Sequence, residues 1–177
     1  MLVGNKINLR IMEKKDMPIV KEWVNDIDFI GDFEPITQET IIDLEKQYES
    51  LTEGQWFFIE KKDSIKIGYV AYFLTGVSKQ TEIGYALIPD ERRKGYGTEA
   101  IQIIIDYLFL SKSINRIQAE INPNNIGSQR VLEKAGFVKE GILRESFYSR
   151  GEWRDTAIFS VLREEWKEPK ILTKANL

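Results

Sequence analysis

The segment best suited to chemistry runs from Glu82 to Ala100, EIGYALIPDERRKGYGTEA. It joins a strand-like run to a helix start through three consecutive cations, Arg92, Arg93 and Lys94, and two glycines, Gly95 and Gly97. Glycine has no Cβ, so successive backbone N–H groups of Gly95, Tyr96, Gly97 and Thr98 can close on an anion, and the helix N-terminus adds partial positive charge. That is a cradle for a diphosphate-bearing ligand. It is neither G-x-x-x-x-G-K-[S/T] nor G-x-G-x-x-G, because Gly97 is followed by Thr98, Glu99 and Ala100. Taken alone, the same residues also fit a solvated basic turn capping an ordinary helix.

Cysteine and histidine are both absent. Thiol nucleophiles, imidazole bases, disulfides and zinc sites built from Cys or His are thereby excluded, and no metal is expected. A proton must move through carboxylate, hydroxyl, amine or water. Glu82 is the foremost carboxylate: on an alternating strand it shares a face with Gly84 and Ala86, opposite Ile83, Tyr85 and Leu87. The plainer alternative is a surface carboxylate paired with a neighbouring lysine.

These residues need elements to hold them. At 177 residues, against about 150 per domain, one domain spanning 1–177 is expected, and 42% hydrophobic residues suffice for a core. The 25 basic and 28 acidic side chains leave a net charge of −3, which supplies no general field for nucleic acid or an anionic membrane. The N-terminus shows no signal-peptide apolar run and no stretch reaches the roughly 20 residues that span a bilayer, so a cytoplasmic location is expected.

Ile7, Leu9 and Ile11 alternate as in a strand; Asp16 and Pro18 then open a helix, with Asp16 as cap, and Thr37, Glu39 and Thr40 open a second through about Leu51. Three strand-like runs, 56–60, 65–74 and 79–88, predict an antiparallel meander. Ile101, Ile104, Ile105 and Leu108 form a helical stripe before the strand 116–122, which predicts a parallel crossover. A helix over 126–135 ends at Gly136, and two strands, 142–150 and 155–162, follow. The class is α/β, a mixed sheet with helices on both faces. Trp153 and Trp166 read as packing residues.

Arg92-x-x-Gly95-x-Gly97 resembles the R/Q-x-x-G-x-G/A signature of the GCN5-related N-acetyltransferase (GNAT) superfamily. The likeness extends along the chain: Leu9-Arg10, Asp16 and Trp23, Glu82-Ile83-Gly84-Tyr85, Asn122, Asn125-x-x-Ser128, Leu132-Glu133-Lys134-x-Gly136-Phe137, Glu140-Gly141-x-Leu143-Arg144, Gly151 and Asp155 resemble its ribosomal-protein N-terminal acetyltransferase (RimJ/RimL-like) branch. The resemblance implies the GNAT fold, a mostly antiparallel sheet whose parallel pair splays around acetyl-CoA. It implies that the pyrophosphate lies on residues 92–98 and that the pantetheine arm pairs with backbone around Tyr85, Leu87 and Ile88. Asn122, Asn125, Ser128 and Lys134 complete the cofactor-binding set.

Direct attack on the thioester then needs a base, for which Glu82 is the candidate, and a group for the departing thiolate. Ser128 stands where this branch offers a hydroxyl, although Asn125-x-x-Ser128 also fits a plain helix cap. Leu132 stands where many relatives carry a tyrosine acid. Asp32 and Glu34, in a stretch 26–49 with eight acids and only Lys46 as base, and Tyr148 on the far side, are the expected acceptor-binding residues. The acceptor implied is a protein or peptide α-amine; a polyamine or aminoglycoside, or a non-catalytic CoA-binding role, are the alternatives. A homodimer is an open expectation.

Overall fold

The structure is a computed structural model in which residues 1–173 are described. Eight strands form one sheet: β1 (Leu2–Val3), β2 (Ile7–Ile11), β3 (Gln55–Lys61), β4 (Lys66–Thr75), β5 (Gln80–Leu87), β6 (Arg116–Ile121), β7 (Val138–Ser149) and β8 (Glu152–Leu162). Their spatial order is β1-β2-β3-β4-β5-β6-β8-β7. Every neighbouring pair is antiparallel except β5 and β6. The helices are α1 (Met17–Val24), α2 (Ile27–Ile30), α3 (Ile41–Ser50), α4 (Tyr96–Ser111) and α5 (Ile126–Ala135).

Period-two alternation sends side chains to two cores. Phe57 and Ile59 face one side with Ile7, Leu9, Ile67 and Val70, beneath the α4 stripe of Ala100, Ile101, Ile104, Ile105 and Leu108. Phe58 faces the other with Met12, Met17, Val20 and Leu44, beneath α1 and α3. Burying one such aliphatic side chain stabilises by roughly 1.5–3 kcal/mol, so α4 is the most firmly seated helix near the loop it presents. Helices on both faces and the parallel crossover match the sequence reading.

Two local expectations change. Asp16 holds the N-cap position of α1 but its side chain bonds none of the helix's first amides: its backbone is already helical, and its carboxylate takes the Glu13 N–H at 2.9 Å and the forked guanidinium of Arg10 at 3.1 Å. Arg10 also donates to Glu60 at 2.8 Å, a partner fifty residues away that local patterning cannot show. Residues 27–30 form a single helical turn capped by Asp26. Trp153 is 61% exposed, because β7 and β8 form the outermost hairpin and no helix covers that part of it. Trp166 does pack, against Phe109, with its indole N–H on Asp106 at 2.8 Å.

Candidate active site

β5 and β6 pair only at Thr81–Ile117 and Glu82–Gln118. Beyond Glu82 the strands part. The N–H of Ile88 donates to Ile67 at 2.9 Å, and the β4–β5 register runs without a break. Antiparallel pairing alternates, so Ala86 and Gly84 also exchange bonds with β4 while the backbone groups of Tyr85 and Leu87 turn toward the gap. Of the three residues expected to meet the pantetheine arm, Tyr85 and Leu87 thus present backbone there and Ile88 does not.

Arg92, expected to meet a phosphate, makes three contacts within the protein. Its Nε donates to the Leu87 carbonyl at 3.0 Å, and Nη2 donates to the carbonyls of Asp28 and Phe29 at 3.0 and 2.7 Å. The guanidinium is a strut tying α2 to the end of β5. Arg93 stands exposed with a left-handed backbone, φ 62°. Lys94 bonds Glu91 at 2.9 Å, and Lys61 reaches the same carboxylate at 3.2 Å. These two cations hold the Glu91 carboxyl below its usual range, Lys94 most strongly and against the opposing effect of burial.

Gly95, at φ 87°, is the residue that lets the chain swing into α4. The first N–H groups of α4 have no partners within the helix, which leaves Tyr96, Gly97 and Thr98 as donors to an anion. A cation that the motif did not reveal is also present: Lys6 Nζ lies 3.5 Å from the Lys94 carbonyl. It is delivered by a turn whose amides, at Asn5 and Lys6, bind the buried Glu99 at 2.5 and 2.8 Å.

Two hydroxyls and a carboxylate lie along the gap. Tyr85 Oη and Ser128 Oγ are 3.0 Å apart, and burial pushes the phenol's pKa up, with Ser128 opposing it. The Ser128 N–H donates to the Asn125 side chain at 3.0 Å, so the cap and the hydroxyl are separate functions of the same residue. Buried Asn122 shapes the turn below by accepting the Asn124 N–H at 2.9 Å. Lys134 is exposed in the last turn of α5. On the opposite face of β5, Glu82 Oε2 accepts from Thr75 Oγ1 and from Gln118 Nε2, both at 3.1 Å. One carboxylate oxygen is thereby fixed. Neither Thr75 nor Gln118 stands out in the sequence, since register alone brings them to Glu82.

Glu120 follows Gln118 on the same face, and burial together with the charge of Glu82 raises its pKa. Glu34 is exposed to solvent, and desolvation by the surrounding protein raises the pKa of its carboxyl. Burial, with the charge of Glu34 adding to it, pushes the Tyr69 phenol up to about 12. Arg150, another residue the sequence did not single out, donates to the Gly31 carbonyl at 2.6 Å and the Glu34 carbonyl at 3.1 Å. It clamps the loop carrying Asp32 and Glu34 to the β7–β8 turn, two residues from Tyr148. That tyrosine is 58% exposed and stacks edge-on with Trp153 at 5.5 Å.

A mixed sheet opened at one parallel pair, with an amide-rich helix start at the opening, is the arrangement that the resemblance to cofactor-dependent N-acetyltransferases implies. The family model described as "Acetyltransferase (GNAT) domain" matches residues 6–138, and the chain belongs to that family. It is 34% identical over 150 residues to the Probable N-acetyltransferase YjcK of Bacillus subtilis, covering 78% of this chain and 83% of that protein. The spermidine N-acetyltransferase of Vibrio cholerae, solved with CoA and spermine, superimposes with a TM-score of 0.80 at 21% identity, covering 92% of this chain and 99% of its own. The ribosomal-protein-S5-alanine acetyltransferase of Vibrio fischeri gives a TM-score of 0.80 at 24% identity, over 94% and 98%.

The protein is an acetyl-CoA-dependent N-acetyltransferase. The residues present fit that cosubstrate: backbone turned into a gap in the sheet for an amide-bearing arm, and unbonded helix amides with cations nearby for the diphosphate. Among the described residues no cluster of side chains is arranged to hold a metal, and no helix is long and apolar enough to cross a membrane.

Proposed function

We propose that the chain acetylates the α-amine of a protein or peptide by direct attack. Acetyl-CoA supplies the activated acyl group. The loop 93–98 and Lys6 hold its phosphates, Tyr85 and Leu87 align its arm by backbone hydrogen bonds, and Lys134 lies on the helix expected to reach the 3′-phosphate. Glu82 receives the amine's proton, directly or through water, at the oxygen not held by Thr75 and Gln118. Ser128 donates a hydrogen bond to the departing sulfur.

The observation carrying this reading is that strand pairing ends at Glu82. The carboxylate stands at the mouth of the gap on one face of β5, with the Tyr85–Ser128 hydroxyls on the other. An acyl group lying between the strands is then flanked by base and thiolate donor. An α-amine near pKa 8 is about a tenth neutral at pH 7, whereas a lysine amine near 10.4 is almost wholly charged, and no histidine is present to help. The family likeness to a ribosomal-protein acetyltransferase supports the same acceptor.

A second reading, a small polyamine acceptor, is favoured by the carboxyls of Glu34, Glu82 and Glu120 on the cleft and by the likeness to a spermidine acetyltransferase. Release of CoA thiol tests both, with basic peptides bearing free or blocked N-termini set against polyamines and aminoglycosides. Turnover with the free peptide, lost on blocking, is the expected result. Turnover with a polyamine alone would overturn it.

A further inference from the structure

The hydroxyl of Tyr85 is not needed for the backbone contacts made by its strand. Its ring is packed against the core, where its Cε2 atom is 3.1 Å from the point a Cβ on Gly97 would occupy and Val131 Cγ2 is 3.7 Å from that same point. The ring is therefore wedged between the first turn of α4 and helix α5, and its hydroxyl meets Ser128 at 3.0 Å. Gly97 serves two purposes, admitting an anion at the helix start and leaving room for this ring.

Serine has one proton to give. It can point at the tyrosine oxygen or at the sulfur, and the choice falls to whichever hydroxyl donates in the pair. Burial raises the phenol's pKa, so the phenol stays protonated and remains a donor well above neutral pH. Hydrogen bonds arranged in a chain also strengthen one another.

The geometry points to Tyr85 as a positioning residue: its hydroxyl donates to Ser128 Oγ and so turns the serine proton toward the sulfur of acetyl-CoA. This rests on the reading of Ser128 as the thiolate donor. In the transfer the nitrogen–carbon bond forms, the carbon–sulfur bond breaks, and its electron pair stays on sulfur. The amine's proton goes to Glu82 or water, and both hydroxyls keep theirs. A thiol near 8.5 is a stronger acid than a phenol near 10, and burial widens that difference, so CoA departs as a hydrogen-bonded thiolate rather than taking the tyrosine proton.

Two readouts test this with Tyr85→Phe, Ser128→Ala and the double variant, each checked by melting temperature. Tyr85→Phe keeps the ring against Gly97, and Ser128→Ala keeps the N–H that bonds Asn125. In single-turnover transfer, Tyr85→Phe should be about fivefold slower with acetyl-CoA affinity nearly unchanged, and the double variant no slower than Ser128→Ala.

The second readout needs no turnover. A donor to the thiolate lowers the bound thiol's pKa, so CoA should bind about fivefold to tenfold more tightly at pH 9.5 than at pH 7, relative to desulfo-CoA. Both single variants should flatten that difference. The charged groups on the neighbouring elements, Glu82, Glu99, Asp106, Arg130, Glu133 and Lys134, act alike on the phosphates of both ligands, and their action on the thiolate is common to the parent and the variants, so the change between parent and variant isolates the hydroxyl pair.

A Tyr85→Phe protein with the parent's rate and pH dependence, beside an impaired Ser128→Ala, would overturn the role of Tyr85 alone. Losses that multiply in the double variant would also overturn it, since Tyr85 would then act independently of Ser128. A Ser128→Ala protein matching the parent in both readouts would overturn the serine assignment and this inference together.

Discussion

The two sides of the gap between β5 and β6 are built from different materials. The cofactor side is mostly backbone: the alternating amides of β5, the glycine-led turn and the first turn of α4, seated by a buried helix. The side to which the proposed function assigns the acceptor is mostly side chains on exposed chain, the loop 31–34 and the β7–β8 turn, held together by Arg150. A backbone cradle recognises what every acetyl-CoA has in common, whereas side chains on clamped loops can change without disturbing it. Arg92 is the link between them, bonded at once to Leu87 at the gap and to α2 beside the acceptor loop.

If that division holds, the largest effect comes from the cradle. Gly97→Glu should abolish measurable CoA binding in calorimetry, and the melting temperature should fall as well. Gly97 is buried, and even a Cβ there approaches the Tyr85 ring to 3.1 Å. Unchanged affinity would break the cofactor side of the comparison.

Ser128→Ala should lower turnover about tenfold to a hundredfold with little change in the Michaelis constant for acetyl-CoA, because a thiolate donor acts mainly in the transition state. Steady-state kinetics at saturating acceptor check this.

The two arginine struts sharpen the comparison. A hydrogen bond to a charged group is worth about 1.5–3 kcal/mol, so Arg92→Ala should weaken both acetyl-CoA and acceptor binding by around tenfold, while Arg150→Ala should raise only the acceptor's KM, by about fivefold. Equal losses of CoA affinity in both variants would mean the sides are not separable.

The smallest effect is at Glu34. Glu34→Gln should raise the KM of a cationic acceptor about threefold near pH 8, as expected of one exposed charge. Glu34 loses its charge as pH falls through a pKa raised above the ordinary 4.5. The parent's KM should therefore rise toward that of the variant as pH drops into that range, and a constant ratio of KM values across that range would remove Glu34 from the cleft.

The same division explains what could be read from the sequence. The cradle lies within nineteen consecutive residues, 82–100, and α4 and α5 carry their own periodicity and stop signals, so loop, crossover and helices were legible. Side-chain partners were not. Tyr85 and Ser128 are 43 positions apart, Arg92 and Asp28 64, and Arg150 and Gly31 119. An arginine in a basic run gives no sign of the three carbonyls, one on β5 and two on α2, that folding brings to it. Asp16 looks like a side-chain cap until folding places Arg10 beside it. The strand boundaries of β7 were blurred because its outward residues are exposed on an edge hairpin, with no second face to impose alternation.

The central claim is that transfer to an α-amine takes place at the mouth of the gap, with Glu82 receiving the proton. The most direct measurement is kcat/KM against pH from about 6 to 9.5 for the parent and Glu82→Gln, with one peptide bearing a free N-terminus and its N-blocked counterpart. The variant should fall by about a hundredfold or more near neutral pH and recover partly as rising pH supplies neutral amine, while the blocked peptide is inert to both proteins. A loss that is the same at every pH and follows the melting temperature, or a blocked peptide that remains an equal substrate, would contradict it.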